Sequence, residues 1–369
     1  MKTVRRLLYG DILASVLFVA LAFLSLFFFI DFVDELSAAV APGYSPLSAA
    51  AYSLLLMPGH LYELLPIAVL IGAIYALSRM AQSSEFTILR TGGLGPARAL
   101  RLLALLGLGF GGLTFLVGDY AAPWAEAQAA HWQAESRGNL NLGRAGAWLK
   151  DHTVTPQGER SYAINVGGVG AVGALRDVRI FEFDSDGRLL RRVAAEQATV
   201  SPTTAANKAA WLLDRVRLTQ WDAQNVKQTK LAQMPWPSNL DAKVVAAAVL
   251  PLTTMSTLDL ARYISHLADN EQAAQQYQIQ FWKRALYPLA CLVMVALALP
   301  FAYMQTRAGS ISLKVFGGIM LGISFVLLNN VAGHLGLLRN WTPWIVASAP
   351  SALYLLLSLG AFAWLVRFR

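Results

Sequence analysis

The chain has 369 residues, of which 56% are hydrophobic and only 14% charged, and its formal net charge is +8. This balance is unusual for a soluble domain and typical of a polytopic membrane protein, whose surplus bases collect in cytoplasmic loops. Outside the loops the bases are not interleaved with aromatic residues, which argues against nucleic-acid binding. The lone cysteine, Cys291, excludes a disulfide framework or a thiolate metal site.

Six apolar stretches are long enough to cross a bilayer, which takes about 20 residues. We predict spans at 12–33, 51–80, 99–120, 285–304, 311–332 and 344–366. The first stretch is too long for a signal peptide, and no small-residue cleavage site follows it. Two glycine pairs, Gly107 with Gly111 and Gly318 with Gly322, have the four-residue spacing that permits close helix contact.

Between the third and fourth spans the chain becomes polar. Residues 124–137 continue as a helix, and the pattern from 138 to 251 predicts a β-domain, a sandwich or a jelly roll. Val178, Ile180 and Phe183 come close to a period of two, Asp186-Gly187 is a hairpin signal, and 211–219 alternates again. The predicted divisions are therefore 1–137 with three spans, 138–251, and 252–369 with three more.

The distribution of bases predicts the orientation. With both termini inside the cell, only Arg339 falls in a short outer loop, besides Lys283 and Arg284 at the start of the fourth span. The bases that this orientation places inside are Lys2, Arg5, Arg6, Arg79, Arg90, Arg98, Arg101, Arg307, Lys314, Arg367 and Arg369. The β-domain is then outside, which in a bacterial inner membrane means the periplasm.

The loop between the second and third spans carries a short helical signal. Residues 84–90, SEFTILR, have a serine at the capping position, an acid in the first turn and a base in the last, and Gly92-Gly93 follow. Such a helix could dock into a partner protein, or it could anchor the loop on the membrane surface. The residues alone leave both alternatives open.

We find no catalytic constellation in the sequence. The chain has no G-x-x-x-x-G-K-[ST] phosphate loop, no histidine pair at ligand spacing and no facing charged groups within the spans. The glycine-rich segment 166–170 precedes no helix pattern, so it is not interpreted as a phosphate loop. We expect a non-catalytic subunit without a metal or cofactor of its own, whose energy comes from a separate ATPase that grips the short helix.

Six spans, three on each side of a β-domain, with SSEFTILRTGG between the second and third, resemble the lipopolysaccharide-export permeases of the LptF/LptG family. The resemblance covers the whole chain and is most specific from Pro58 to Gly93. The segments FVDEL at 32–36, YSLLLMP at 52–58, Ala122-Pro123 and Phe281-Trp282 resemble the LptG branch more than the LptF branch.

The resemblance implies partners and a role. A permease of this family pairs with its paralogue, here LptF, binds a dimer of the LptB ATPase, which holds ATP and Mg, and takes up the single-span protein LptC. It extracts lipopolysaccharide from the outer leaflet of the inner membrane and passes it to a periplasmic bridge. By position, Glu85 would be the coupling acid, with Phe86, Ile88, Leu89 and Arg90 in the docking contact.

The sequence departs from the resemblance at the outer end of the first span. Related proteins have lysines there that meet lipid phosphates, whereas residues 31–39 contain no base. Lys283, Arg284 and Arg137 are the candidate substitutes, and the paralogue is the alternative source. Candidates for a cavity that takes the acyl chains are apolar residues on spans one, two and five: Phe27, Phe28, Leu64, Leu65, Leu321 and Phe325.

Two rival functions stay open at this point. A mechanically coupled membrane subunit would transmit force without moving lipid, and it would have no lipid-sized cavity between its spans. A membrane-anchored adaptor would only present its β-domain, and it would tolerate a charge reversal at Glu85.

Overall fold

The computed structural model describes residues 2–38, 45–137, 140–141, 147–155, 158–169, 174–204, 208–221, 225–238, 240, 245, 255–269, 274–303 and 311–367. These residues form two compact units, a helical one within 1–39, 45–125 and 278–369, and a second one within 126–277.

Long helices make up the first unit. In chain order they are α1 (Lys2–Ala38), α2 (Pro46–Gln82), α3 (Glu85–Thr91), α4 (Pro96–Leu116), a π-helix (Val117–Ala121) and α5 (Ala122–Arg137), which runs into the second unit. After the sheet come α6 (Thr257–Asp269) in the second unit, and α7 (Gln275–Tyr303), α8 (Ile311–Leu338) and α9 (Pro343–Arg367) in the first.

All six predicted spans are confirmed as helices long and apolar enough to cross a membrane. Their bounds are Val4–Ser37, Pro46–Gln82, Pro96–Ala129, Gln275–Tyr303, Ile311–Leu338 and Pro343–Trp364. The helices are longer than the predicted apolar stretches because their polar ends continue the same backbone hydrogen bonding.

Glycines bring pairs of these helices close together. A Cβ atom at Gly107 would lie 3.0 Å from the Cα of Leu292, and one at Gly111 would lie 2.8 Å from the carbonyl oxygen of Pro288, so α4 packs directly on α7. Gly318 faces the side chain of Ile74 in the same way and joins α8 to α2. The close helix contacts predicted from both glycine pairs are therefore present.

The second unit is built on one antiparallel sheet. Its strands are β1 (Leu140–Asn141), β2 (Ala147–Thr155), β3 (Gly158–Val169), β4 (Leu175–Phe183), β5 (Leu189–Thr204), β6 (Lys208–Trp221) and β7 (Val226–Ser238). From β2 to β7 each strand pairs with the next in sequence, and β1 pairs with β3. The predicted fold class, a helical membrane protein with an inserted all-β domain, is confirmed, and its described strands pair as a meander.

Alternation along the strands separates the two faces of the sheet. Ile164, Ile180 and Val193 stand in register on three neighbouring strands and are buried. Along β4 the next inward residue after Ile180 is Glu182, which pairs with Arg191, so Phe183 does not continue the inward row as the sequence suggested. The predicted hairpin at Asp186-Gly187 joins β4 to β5, with Gly187 at a φ of 76°.

Candidate functional site

Helix α3 follows α2 after a link of two residues, Ser83 and Ser84. The predicted helix is present, with Glu85 in its first turn and Arg90 in its last. The capping role predicted for Ser84 is wrong, because this serine has a φ of 62° and its side chain makes no capping hydrogen bond. The left-handed conformation of Ser84 separates α3 from α2, and it differs from the extended backbone that a capping residue adopts.

The end of α3 has a Schellman motif. The N–H group of Leu94 donates to the carbonyl oxygen of Leu89 at 2.9 Å, and that of Gly93 donates to Arg90 at 3.1 Å. Gly93 has a φ of 99°, a conformation that favours glycine. Leu94 is buried, and Leu89 packs against the same apolar core. The predicted stop at Gly92-Gly93 is confirmed, and it holds α3 against the helical unit.

Phe86 anchors α3 to the end of α7. Its side chain is 2% exposed, and its ring meets the ring of Tyr303 edge to face, with centroids 5.2 Å apart. The guanidinium carbon of Arg90 lies 5.0 Å from the centroid of the same tyrosine ring, which is within the range of a cation–π contact. Phe86 and Arg90 therefore fix the helix to its own chain.

The opposite side of α3 faces outward. Glu85, Thr87 and Ile88 are exposed, and the Ile88 side chain keeps 66% of its surface accessible. Of the five residues proposed for the docking contact, Glu85, Ile88 and Arg90 are exposed, Leu89 is half-buried, and Phe86 is covered. An acid beside an isolated large apolar side chain is a surface that a partner can recognise through one charge and one apolar pocket.

An ion pair that sequence reasoning missed links this region to α1. The Nη2 atom of Arg79, on the last turn of α2, lies 2.8 Å from the Oδ2 atom of Asp11. The backbone carbonyl of Arg79 also accepts from the N–H group of Ser83, where the chain turns towards α3. Asp11 stands near the start of the first apolar stretch, a position at which a lone acid signals a partner on another helix.

At the other end of the same two helices, His60 and Asp31 are joined. The Nε2 atom of His60 lies 2.8 Å from the Oδ2 atom of Asp31, and the ring of Phe27 stacks on the imidazole at a centroid distance of 4.8 Å. This places Phe27 beside a polar contact at the end of α1 that lacks bases.

The six candidates for an acyl-chain cavity fall into two groups. Leu65 and Phe325 are 3% and 1% exposed, respectively, and belong to the packed core of the helical unit. Phe27, Phe28, Leu64 and Leu321 keep part of their surface accessible. Lipid contact by all six stays a prediction, and burial favours the four that are partly exposed.

The three candidates for phosphate contact differ in what surrounds them. Arg284 is buried, and its Nη2 atom donates to the carbonyl oxygen of Gly118, in the π-helix, at 2.7 Å. Lys283 is half-buried, and its Nζ atom occupies the space above Gly333, where a Cβ atom would lie only 2.3 Å away. The side chain of Arg137 lies outside the described residues.

Tyr62 completes the surroundings of Arg284. The guanidinium carbon of Arg284 lies 5.5 Å from the centroid of the Tyr62 ring, and that ring packs on Gly118. A π-helix leaves backbone groups out of the regular pattern, and here a buried arginine satisfies one of them. Arg284 thus joins α7 to the π-helix within the chain, a role that its position before the fourth span did not indicate.

Comparison with known proteins gives a family for this arrangement. The family described as "Lipopolysaccharide export system permease LptF/LptG" matches residues 6–367. The chain is 29% identical to the lipopolysaccharide export system permease protein LptG of Escherichia coli strain K12 over 335 residues, 89% of each chain. It is 24% identical to the LptG protein of Haemophilus influenzae over 358 residues, 96% of this chain and 97% of the relative.

Both of these relatives carry the LptG name, which confirms the predicted resemblance to that branch. The family match runs through α3, all six spans and the inserted sheet. The chain therefore belongs to the lipopolysaccharide export system permease LptF/LptG family.

Proposed function

We propose that the chain is the non-catalytic permease subunit of an ATP-driven transporter that extracts lipopolysaccharide from the outer leaflet of the inner membrane and passes it to a periplasmic bridge. The observation that carries this proposal is α3, whose Glu85 and Ile88 face outward while Phe86 locks the helix to the end of α7. A surface helix built in this way can receive force from a partner and pass it on. The family and the names of the relatives support the choice of lipid.

The proposed assembly contains an LptF-type paralogue, two copies of an LptB-type ATPase and a single-span LptC-type protein. ATP and Mg²⁺ would be bound by the ATPase, and this chain would receive the resulting movement at α3. Both termini and α3 are proposed to lie in the cytoplasm and the sheet in the periplasm. Support for this orientation comes from the excess of bases in the segments next to α3 and at both termini.

Force would leave α3 by two routes. One route runs through Phe86 and Arg90 into Tyr303 and thus into α7. The other runs through the Ser83–Ser84 link into α2 and, from Arg79, across to Asp11 on α1. Because three spans are connected to one short helix, a movement of α3 would be passed to all three of them at once.

The lipid's phosphate groups would meet Lys283. In the described part of the chain the ammonium group of Lys283 has no acidic partner. It packs against Gly333 and therefore lies between α7 and α8. Arg284 is already engaged with Gly118, so it is proposed to hold the π-helix in place beside the phosphate site. The partly exposed residues Phe27, Phe28, Leu64 and Leu321 would contact the acyl chains.

The test is photo-crosslinking in cells from position 88, because Ile88 is the exposed apolar residue of α3. We expect capture of a cytoplasmic ATPase from this position. Glu85→Lys is expected to abolish both the capture and lipid export, because it places a base where the partner accommodates an acid. Asp186→Lys, in the exposed hairpin of the sheet, is the matched control with the same change of charge, and it should leave both unchanged.

Two results would contradict the proposal. Capture of lipid alone from position 88, with export unaffected by Glu85→Lys, would make α3 a surface anchor. Capture of the ATPase together with normal export in the Glu85→Lys protein would show that this acid does not couple the two subunits.

A further inference from the structure

One face of the sheet carries an unusual set of bases. Two rows of residues run across the strands in register on this face. The first row contains Lys150, Ala163, Phe181, Arg192, Thr219 and Gln228, and the second contains Trp148, Asn165, Arg179, Ala194, Arg217 and Lys230. Together the two rows contain five bases and no acid. We call Lys150, Arg179, Arg192, Arg217 and Lys230 the basic face.

The basic face is the side of the sheet opposite to its core. Ile164, Ile180 and Val193 point to the other side, because successive side chains of a strand alternate. Lys150, Arg217 and Lys230 are exposed, and Arg179 and Arg192 are partly exposed. With neighbouring strands about 4.8 Å apart, the five bases extend over about 24 Å from β2 to β7.

Only one of the five bases is neutralised by a neighbour. Arg179 donates to the Oδ2 atom of Asp177 at 2.7 Å. The other four have no acidic partner among the residues that the structure describes. Elsewhere on the sheet, acids and bases do pair, as Arg191 does with Glu182 and Arg215 with Glu196. The unpaired charge is therefore a local property of these two rows.

Two aromatic rings lie among the bases. Trp148 is 55% exposed, and its ring stacks on that of Phe181 with centroids 6.0 Å apart. The guanidinium carbon of Arg192 lies 5.6 Å from the centroid of the Phe181 ring. An exposed tryptophan beside unpaired arginine and lysine side chains is the composition that favours the boundary between water and lipid headgroups.

We propose that the basic face rests on a membrane surface and binds the phosphate groups of anionic lipids. Several features point to lipid. The positive charge is spread over a broad sheet face, which suits a flat membrane surface. The sheet is inserted in the chain between the third and fourth spans, and these tether it to the bilayer. Bases near an anionic surface are attracted to it individually, and the attraction falls with salt. This proposal does not depend on the transported lipid or on the ATPase.

The test measures how close each face of the sheet comes to lipid headgroups. The full-length chain, with Cys291→Ser, is labelled with a fluorophore at Gln228→Cys on the basic face or at Gln220→Cys on the opposite face. Both positions are exposed. Each protein is placed in nanodiscs whose lipids carry a nitroxide quencher on the headgroup, made either of phosphatidylcholine alone or with about 30% phosphatidylglycerol, a composition chosen to give the negative surface potential that attracts bases.

We expect quenching at position 228 to rise at least about twofold when phosphatidylglycerol is present, and quenching at 220 to stay unchanged, because only the first face binds anionic headgroups. Arg217→Glu with Lys230→Glu should return quenching at 228 to its level in phosphatidylcholine. Each lost base weakens binding to the surface by about fivefold, so losing two should weaken it by at least about twenty-five-fold. Arg188→Glu with Lys227→Glu is the matched control, with the same change of charge on exposed residues of the β4–β5 hairpin and of β7, and it should have no such effect.

Other outcomes would overturn the proposal. Equal quenching at 228 in the two kinds of nanodisc would mean that the face does not bind anionic lipid, and an acidic protein would then be the better candidate for it. An equal loss in the control variant would assign the effect to overall charge. The uncharged double variant Arg217→Gln with Lys230→Gln is the control for misfolding. It should reduce quenching at position 228 by an intermediate amount, and it should elute from a size-exclusion column like the unaltered chain.

Discussion

Two polar contacts between α1 and α2, one towards each end of α1, differ in what lies next to them. At one end Arg79 meets Asp11, and the chain turns at once into α3 and its aromatic anchor. At the other end His60 meets Asp31, and Tyr62 packs on the π-helix two residues further along. In both pairs the acid is on α1 and the base on α2.

The two polar contacts differ in how open they are to solvent. The Arg79 pair is partly open to solvent, with side chains 50% and 29% exposed, so water screens much of its attraction. Next to it the buried ring of Phe86 supplies the apolar contact that holds α3. Near the His60 pair, the ring of Tyr62 packs so closely on Gly118 that no space is left for a Cβ atom, and this contact holds α2 against the π-helix. The polar contacts thus link α1 to α2, whereas the apolar contacts hold α3 against α7 and α2 against the π-helix.

The largest expected effect is the loss of the aromatic anchor at the α3 end. Phe86→Ala should lower the free energy of unfolding by about 3 kcal/mol, because it empties the space beside Tyr303. Ile88→Ala is the control on the same helix, and its effect should stay below about 0.5 kcal/mol because the side chain is exposed. Denaturant titration in detergent micelles measures both. Similar losses for the two variants would mean that Phe86 does not anchor the helix.

A smaller effect is expected at the opposite end. Gly118→Ala places a Cβ atom 2.3 Å from the Tyr62 ring, and it should destabilise the chain by about 1–3 kcal/mol through overpacking. Gly112→Ala lies earlier in the chain, in α4, where a Cβ atom meets nothing within 4 Å, so it should be neutral or slightly stabilising. Thermal unfolding of the two variants compares them directly, and equal midpoints would refute the close packing.

The smallest expected effects come from the polar pairs themselves. A double-mutant cycle with Asp11→Asn and Arg79→Gln should give a coupling energy of about 0.2–1 kcal/mol, as exposed ion pairs do. A cycle with Asp31→Asn and His60→Gln should give about 1 kcal/mol, because these side chains are only 17% and 24% exposed and their hydrogen bond is less open to water. A coupling energy at Arg79 that clearly exceeds the one at His60 would reverse the comparison.

Several of these features follow from local sequence signals. The length and apolarity of the six spans, the glycine spacing on α4 and α8, and the extent of α3 each depend on residues close together in the chain. So does the Asp186-Gly187 hairpin. Short-range backbone hydrogen bonding and side-chain period are enough to predict such elements.

Other features escaped prediction because they depend on neighbours far away in the chain. The pattern of α3 placed Phe86 in the docking contact, but Tyr303, more than two hundred residues later, covers it. Arg284 looked like a base available to lipid, yet it donates to the carbonyl oxygen of Gly118, 166 residues earlier in the chain. Ser84 has the residue type of a helix cap, and the two-residue link to α2 overrides that preference.

The sequence by itself therefore determined that this chain is a six-span membrane protein with an inserted β-domain and a short helix in the loop before the third span. The tertiary structure alone decided which side of that helix is exposed, which base at the start of α7 has no acidic partner among the described residues, and which bases form the basic face of the sheet. The physical reason is that helix and strand periods are set by adjacent residues, whereas burial and charge pairing depend on register between segments that the chain brings together only when it folds.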